Sequence, residues 1–339
     1  MARSQAARIA FVGAGNHATE SLYPNIAHIP EFDLVAVCDR VEGKARSAAR
    51  RFGAPTFFTD VGTMVERVAP EAICVCGPPD MHCEVGLQGL RRGIPVFMEK
   101  PPALTLAQTG ELAEAARAGG AWAMVGFMKR FAPANLVARE YTRSEEFGKL
   151  SSISLIHGCG PYDDVRRMLL FNGIHMLDLA RFFAGEVTEV SAYGSQQGAR
   201  IQAVCAVMKF EGGAVGQLNM NSGHTWTDCF EQVYLSGAGA GIVVDASRAV
   251  EAMSGGAQFA RAEGVQLYGW SRRYYVSGNM AGWAAGGHYT RGYWGELSHF
   301  ARAVIGQVEP SPTLEDGLAA MRLIDCILES AESSRPVRP

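Results

Sequence analysis

The chain lacks cysteine pairs at redox or zinc spacing. Its eight cysteines (Cys38, Cys74, Cys76, Cys83, Cys159, Cys205, Cys229 and Cys326) are scattered, with no CxxC and no Cys/His cluster. That argues against a disulfide scaffold or a structural zinc site, and no metal is expected. An excess of charge is missing too. A formal charge of −3, from 31 basic and 34 acidic residues, gives no field to attract nucleic acid or a membrane surface. No apolar run reaches the length of a membrane-spanning helix. The opening Met1–Arg8 is a short polar arm without an apolar stretch of signal-peptide length. There is no internal repeat. The expectation is a cytoplasmic protein with no nucleic-acid or membrane partner.

What is present suits two ordinary domains. The chain has 339 residues, 48% hydrophobic and 19% charged, enough for two separate cores. Through residue 126, short apolar runs alternate with helical patterns: Ala7–Val12, Leu34–Cys38, Ala54–Phe58, Ala72–Cys76, Pro95–Met98 and Ala121–Gly126 read as strands. Six strands with intervening helices predict a doubly wound parallel sheet of the Rossmann type.

The first strand runs into Gly13-Ala14-Gly15-Asn16-His17-Ala18, a GxGxxA pattern, and a helical pattern follows from Asn16 to His28. The next strand ends in Asp39, about twenty residues on, where a carboxylate can chelate an adenosine ribose. Glycines, helix, strand and terminal Asp in that order predict a dinucleotide site. Asp39 repels a 2′-phosphate and favours NAD, whereas the adjacent Arg40 leaves NADP as the alternative. The turn Pro78-Pro79-Asp80 and the stretch Phe97-Met98-Glu99-Lys100-Pro101-Pro102 both fall on strand ends that should line the cofactor crevice. His82 is either a crevice residue or a polar residue of a first helical turn. Pro101 and Pro102 stiffen the chain just past a Lys at a strand end.

After residue 126 the pattern changes. Phe131–Tyr141 reads as an amphipathic helix, and from Leu150 to about residue 275 the chain shows mostly alternating strands. This predicts an α+β domain, residues 127–339, built on an open, largely antiparallel sheet. The glycines at 255–256 and 278–295 read as hairpins and loops. Two helices, Trp294–Ile305 and Leu314–Glu332, close the chain, with Gly306 at a C-cap position. One helix interrupts the sheet. Leu169–Phe183 is apolar around nearly its whole circumference, yet carries Asn172, His175 and Asp178 on one stripe. Burying them requires partners, so they are either a self-satisfied structural trio or part of a catalytic site.

These motifs resemble the glucose-fructose oxidoreductase/inositol dehydrogenase/rhizopine-catabolism (Gfo/Idh/MocA) family over almost the whole chain. The resemblance is carried by Gly13–Ala18, Pro78-Pro79-Asp80-Met81-His82, Glu99-Lys100-Pro101 and Gly126-Phe127-Met128-Lys129-Arg130-Phe131. Gly173-Ile174-His175-Met176-Leu177-Asp178 and Glu315-Asp316-Gly317 add to it. It implies a Rossmann domain over 1–126 and a substrate-binding domain over 127–339 whose sheet forms a homodimer or homotetramer interface. It also implies reversible NAD(P)-dependent oxidation of a secondary alcohol on a sugar, cyclitol or related polyol. On the matching positions, Lys100 and His175 are the expected proton-handling residues and Arg130 a substrate contact. The cofactor is expected against Gly13, Gly15, Asn16, His17, Asp39, Arg40, Pro78, His82, Glu99 and Lys100. The substrate is expected against Lys129, Arg130, Tyr162, Asp163, Asn172 and Asp178.

The sequence departs from the family at one position. Four residues before the histidine the family carries Asp, and this chain carries Phe171. Either Asp163 or Asp164 substitutes, or Lys100 and His175 suffice with Phe171 shaping specificity, or turnover is altered. The alternative functions are a lyase or glycoside hydrolase that recycles bound NAD, and an NAD-binding ligand sensor without turnover.

Overall fold

A computed structural model of the chain describes residues 6–226, 230–247, 249–262, 265–275 and 287–339. The chain groups into two compact units, Met1–Met128 with Ala281–Met321, and Lys129–Met280 with Arg322–Pro339. A cut after residue 126 therefore describes the contacts only in part, because a later segment returns to the first unit. The arm at 1–5, Cys229, and the glycine-rich stretch from Gly278 to Gly286 lie outside the described residues.

In the first unit the strands are β1 (Ala7–Val12), β2 (Phe32–Cys38), β3 (Phe57–Phe58), β4 (Ala72–Val75), β5 (Val96–Glu99) and β6 (Ala123–Gly126). They form one sheet in the order β3-β2-β1-β4-β5-β6, all pairs parallel. The predicted strand at Ala54–Phe58 shortens to two residues at the sheet's edge. Helices α1 (Tyr23–Ile26), α2 (Glu42–Phe52), α3 (Val61–Val68), α4 (Pro79–Leu90) and α5 (Leu106–Gly119) connect them. Because helices cover both faces, β4, β5 and β6 are buried at every position and read as unbroken apolar runs. Local sequence sets the helix starts. Asp60 caps α3 by accepting from the Thr63 N–H at 2.7 Å, and Thr105 with Gln108 forms a capping box on α5. The helix expected from Asn16 does begin there, and it passes through a π-turn, Ala18–Leu22, before α1. Pro24 has no N–H to donate, which disfavours a regular ladder there.

In the second unit, α6 (Pro133–Tyr141) precedes an eight-stranded sheet of order β14-β13-β12-β11-β7-β10-β9-β8. Its strands are β7 (Ser152–Gly158), β8 (Val187–Gln197), β9 (Ile201–Phe210), β10 (Val215–Asn221), β11 (Phe230–Ser236), β12 (Ala240–Asp245), β13 (Ala249–Ala262) and β14 (Val265–Tyr275). All neighbours are antiparallel except β10 and β7. Burial alternates strictly along β9 and β10, so one face is covered and one open. Gly255-Gly256, expected as a turn, lies inside β13, where pairing with β14 slips between Ser254 and Gln258. The glycines mark a strand irregularity, a use that local composition does not separate from a hairpin.

Between β7 and β8 the apolar helix forms as α7 (Val165–Met168), a π-turn (Leu169–Gly173) and α8 (Ile174–Ala184). Single π-turns inside helices are frequent at functional sites. The last helices are α9 (Tyr293–Val304) and α10 (Leu314–Ser333), and Gly306 takes φ +70° just past α9. α9 belongs to the first unit and sets Phe300 against Phe97 of β5, with ring centroids 5.6 Å apart. Among the described residues no helix is long and apolar enough to cross a membrane.

Candidate functional site

The turn after β1 is built around a backbone contact. Gly13 takes φ +102°, and a Cβ there would sit 2.0 Å from the Cys76 carbonyl oxygen. Only glycine permits this approach of the two strand ends. The buried Tyr23 hydroxyl donates to the Gly13 carbonyl at 3.1 Å. Asp39 closes the same corner: the Ala14 N–H donates to its Oδ2 at 2.8 Å and the Val41 N–H to its Oδ1 at 2.9 Å. These bonds fix the carboxylate at the end of β2, where it is half-exposed, while Arg40 is exposed.

A recess of about 240 Å³ opens beside this turn, lined by Gly15, Asn16, His17, Ala18, Cys76, Gly77, His82, Glu99 and Lys100. The turns after β1, β4 and β5 thus converge, as expected for the carboxyl ends of parallel strands. Pro78 is exposed at the start of α4 and does not line the recess.

Glu99 is buried, with its Oε2 accepting from the Lys100 N–H at 3.0 Å and its Oε1 lying 3.4 Å from His17 Nε2. Burial alone would raise its pKa, but His17, Lys100 and His82 outweigh that and hold the carboxyl below its usual range. His82 is also buried, and the Gly77 N–H donates to its Nε2 at 2.9 Å. The proton therefore sits on Nδ1, which donates to the Pro101 carbonyl at 2.8 Å. Burial pushes this imidazole below its usual pKa, so it is neutral near pH 7. His82 spends both ring nitrogens tying the β4 turn to the β5 turn. That makes it a brace within the recess wall.

A carboxyl that sequence reading missed stands behind these residues. Glu296, in the first turn of α9, is fully buried, and neither carboxyl oxygen has a hydrogen-bond partner among the described residues. Burial, and then Glu99, push its pKa well up, with Lys100 opposing. Its neighbour Tyr293 meets His17 edge-on at 5.7 Å, which places this face of α9 against the recess. In sequence, Glu296 is one acidic residue in an amphipathic helix, and nothing local marks it.

In the second unit the residues expected to grip substrate divide into two groups. Three are consumed by ion pairs. Lys129 Nζ lies 2.5 Å from Glu231 Oε2, and His157 Nδ1 lies 3.4 Å from the same oxygen. Burial alone would raise the Glu231 carboxyl, but Lys129 and His157 hold it far below the ordinary range. Arg130 clasps Asp178 with Nε to Oδ2 at 2.9 Å and Nη2 to Oδ1 at 2.6 Å. Asp178 is 1% exposed, and its carboxylate faces the guanidinium. Glu231 and Asp178 are the missing halves of what the sequence shows only as two adjacent cations.

The remaining residues stay within reach of solvent or lie beside His175. Asn172 Nδ2 donates to the Tyr162 hydroxyl at 2.6 Å, and both residues are half-buried. His175, at the start of α8, is 7% exposed. Phe171 is half-buried on the π-turn. The two carboxylates that could replace the family Asp are exposed. Asp164 caps α7 by accepting from the Arg166 N–H at 2.7 Å, and Asp163 lies 3.7 Å from Arg167. Among the described residues no group of His, Cys, Asp or Glu is placed to hold a metal.

The strand ends of the first unit carry features suited to a dinucleotide: a turn at Gly13 without room for a Cβ, a fixed carboxylate at the end of β2, and a basic side chain after β5. Residues 7–127 match the oxidoreductase family with an NAD-binding Rossmann fold, and residues 168–338 match that family's C-terminal alpha/beta domain. The chain belongs to the Gfo/Idh/MocA family. Its N-terminal domain is accordingly an NAD-binding Rossmann domain of that oxidoreductase family. D-glucoside 3-dehydrogenase of Escherichia coli K12 is 30% identical over 210 residues, covering 56% of this chain and 58% of that enzyme. Myo-inositol 2-dehydrogenase of Thermotoga maritima is 26% identical over 98% of both chains. The crystal structure of a dehydrogenase from Chromobacterium violaceum superposes with a TM-score of 0.87 at 25% identity, covering 97% of this chain and 96% of that one.

Proposed function

We propose that this Gfo/Idh/MocA protein is an NAD-dependent dehydrogenase that interconverts a secondary alcohol and a ketone on a sugar or cyclitol. The observation that carries the reading is the recess in which Gly15, His17, Glu99 and Lys100 meet at the carboxyl ends of β1 and β5. When bound, NAD supplies the hydride acceptor, so the chain must orient the carbinol and manage one proton. Lys100, at the mouth of β5, hydrogen-bonds the reacting oxygen and stabilises its developing negative charge. His175, with an imidazole suited to neutral pH, takes the proton. Glu99 and His17 hold the turn that aims Lys100. Phe171, in place of a carboxylate, leaves proton handling to Lys100 and His175 and shapes specificity. The substrates named for the glucoside and inositol dehydrogenases support the choice of a polyol.

The protein assembles as a homo-oligomer through the open face of its sheet. Tyr193, Val207, Val215 and Tyr234 are exposed on β8, β9, β10 and β11. Burial alternation and pairing register set them on one face, and exposed apolar side chains gathered on one sheet face suit an interface.

The test is NADH formation across a panel of polyols and glycosides, with NAD binding measured in parallel by calorimetry. Turnover that Lys100→Ala abolishes while NAD still binds supports the reading. NAD binding without turnover on any polyol overturns it. Sedimentation of the wild type against Val207→Asp tests the assembly.

A further inference from the structure

Trp226 follows β10 in the turn after Asn221 and is 55% exposed. Its indole is seated, not loose. A Cβ on Gly160 would lie 2.3 Å from its Cε2 and 2.4 Å from its Cδ2, so only glycine lets the ring approach the backbone after β7. Tyr162 meets the indole edge-on, with centroids 5.2 Å apart and planes at 76°. The Tyr162 hydroxyl is held by Asn172 on the π-turn, three residues before His175. An exposed aromatic wall is thus tied, through one ring contact and one hydrogen bond, to the start of the histidine helix. Next to it, His224 is seated in the same way on Gly158, where a Cβ would come within 2.5 Å of its ring.

Lys129 and Arg130, the adjacent cations suited to a phosphate or carboxylate, are bound by the buried carboxylates of Glu231 and Asp178. A sugar or cyclitol ring presents an apolar C–H face and a polar rim. Trp and Tyr match that division, with an apolar body and a single polar handle each. Specific pockets of this kind combine aromatic walls with a few placed polar groups.

We infer that Trp226 is the stacking wall of a recognition site for an uncharged sugar or cyclitol ring, with Tyr162 and Asn172 as its polar edge. The substrate is a neutral sugar, cyclitol or glycoside, and not a sugar phosphate or nucleotide sugar. This rests on the proposed dehydrogenase reading and names its substrate class.

The experiment compares neutral sugars, cyclitols and glycosides with their phosphorylated counterparts on the NAD-loaded protein. Turnover is followed by NADH absorbance and binding by calorimetry, for the wild type, Trp226→Ala and Trp226→Phe. The expected result is turnover of neutral compounds with the phosphates at least about tenfold poorer in kcat/KM. Trp226→Ala should raise KM about tenfold, in line with the worth of an aromatic contact, with little change in kcat, and Trp226→Phe should restore part of the loss. Preference for a phosphorylated compound overturns the inference and leaves the dehydrogenase reading standing. If no compound is oxidised, the dehydrogenase reading fails. Calorimetry then decides the inference alone, since neutral-sugar binding weakened by Trp226→Ala supports it and no binding overturns it. If Trp226→Ala leaves KM unchanged but lowers the mass in sedimentation, the indole belongs to an interface between copies and the inference is overturned.

Discussion

Arg130 engages both carboxylate oxygens of Asp178 from a position 48 residues earlier in the chain. The Arg side chain is 12% exposed and the Asp side chain 1%, so the pair sits largely out of water. Breaking such a pair costs more than the pair itself contributes, because the surviving charge stays buried. Arg130→Ala should therefore destabilise the second unit by about 3–5 kcal/mol. Arg130→Lys should recover only part, since an ammonium cannot reproduce the two-pronged contact. Urea unfolding monitored by circular dichroism measures this. Wild-type stability in Arg130→Ala would return Arg130 to the role of a substrate contact.

Glu296 should make the protein less stable as pH rises. Its folded-state pKa lies above the unfolded value, so the native state holds this proton more tightly than the unfolded chain does. Relative to a neutral side chain, the cost is absent below the unfolded pKa of about 4.3 and grows by about 1.4 kcal/mol per pH unit until the folded pKa is reached. Cys74, Cys76, Glu99 and Lys100 are the titratable groups facing it from β4, β5 and the turns that follow them, and Tyr293 lies on its own helix. Glu296→Gln should match the wild type near pH 4.5 and exceed its Tm at pH 8. Parallel melting curves at both pH values would show a carboxyl that is already satisfied.

Asp39 should govern dinucleotide choice. It accepts two backbone hydrogen bonds that shape the β1 turn. Its charge also disfavours a 2′-phosphate. Asp39→Ala should weaken NAD binding about 10- to 100-fold, the worth of one hydrogen bond to a charged group. It should also narrow the gap to NADP. Calorimetry with both nucleotides reads each effect, and unchanged NAD affinity would place the adenosine ribose elsewhere.

His175→Ala should lower kcat by about 10²–10⁴ while leaving NAD affinity within a few-fold. Phe171→Asp should shift substrate preference with little loss of Tm. Loss of folding in Phe171→Asp would mean that the ring belongs to the core.

The parts of this protein legible in sequence are those whose causes lie close together in the chain. Gly13, Gly15 and Asp39 are separated by one helix, and the strand–turn–helix order around them is a local pattern. Glu99-Lys100 was readable for the same reason. What sequence did not show were the buried partners. Lys129 meets Glu231 from 102 residues away, and Glu296 reaches the Glu99 corner from a helix that follows the whole second sheet. In a linear reading each of these is an ordinary surface charge. The Phe171 departure is visible in sequence, whereas the neighbours of Asp163 and Asp164, Arg167 at 3.7 Å and the start of α7, become visible only in the structure. Trp226 carries no local mark in the sequence, because the place its ring takes is left by the missing side chain of the distant Gly160.

The parallel pairing in the second sheet, β10 with β7, runs from Val215 beside Ser152 to Asn221 beside Gly158. Between those strands the chain lays down α7, α8 and the β8–β9 hairpin. The seam joining the two halves of the sheet therefore closes across a long excursion that includes the helix bearing His175. Such non-local closure is the slow step in assembling a sheet of this kind. On refolding, far-ultraviolet signal from local helices and hairpins should return first, and the histidine helix should gain hydrogen-exchange protection together with the seam. His175 and the middle of the sheet would then mature as one kinetic unit.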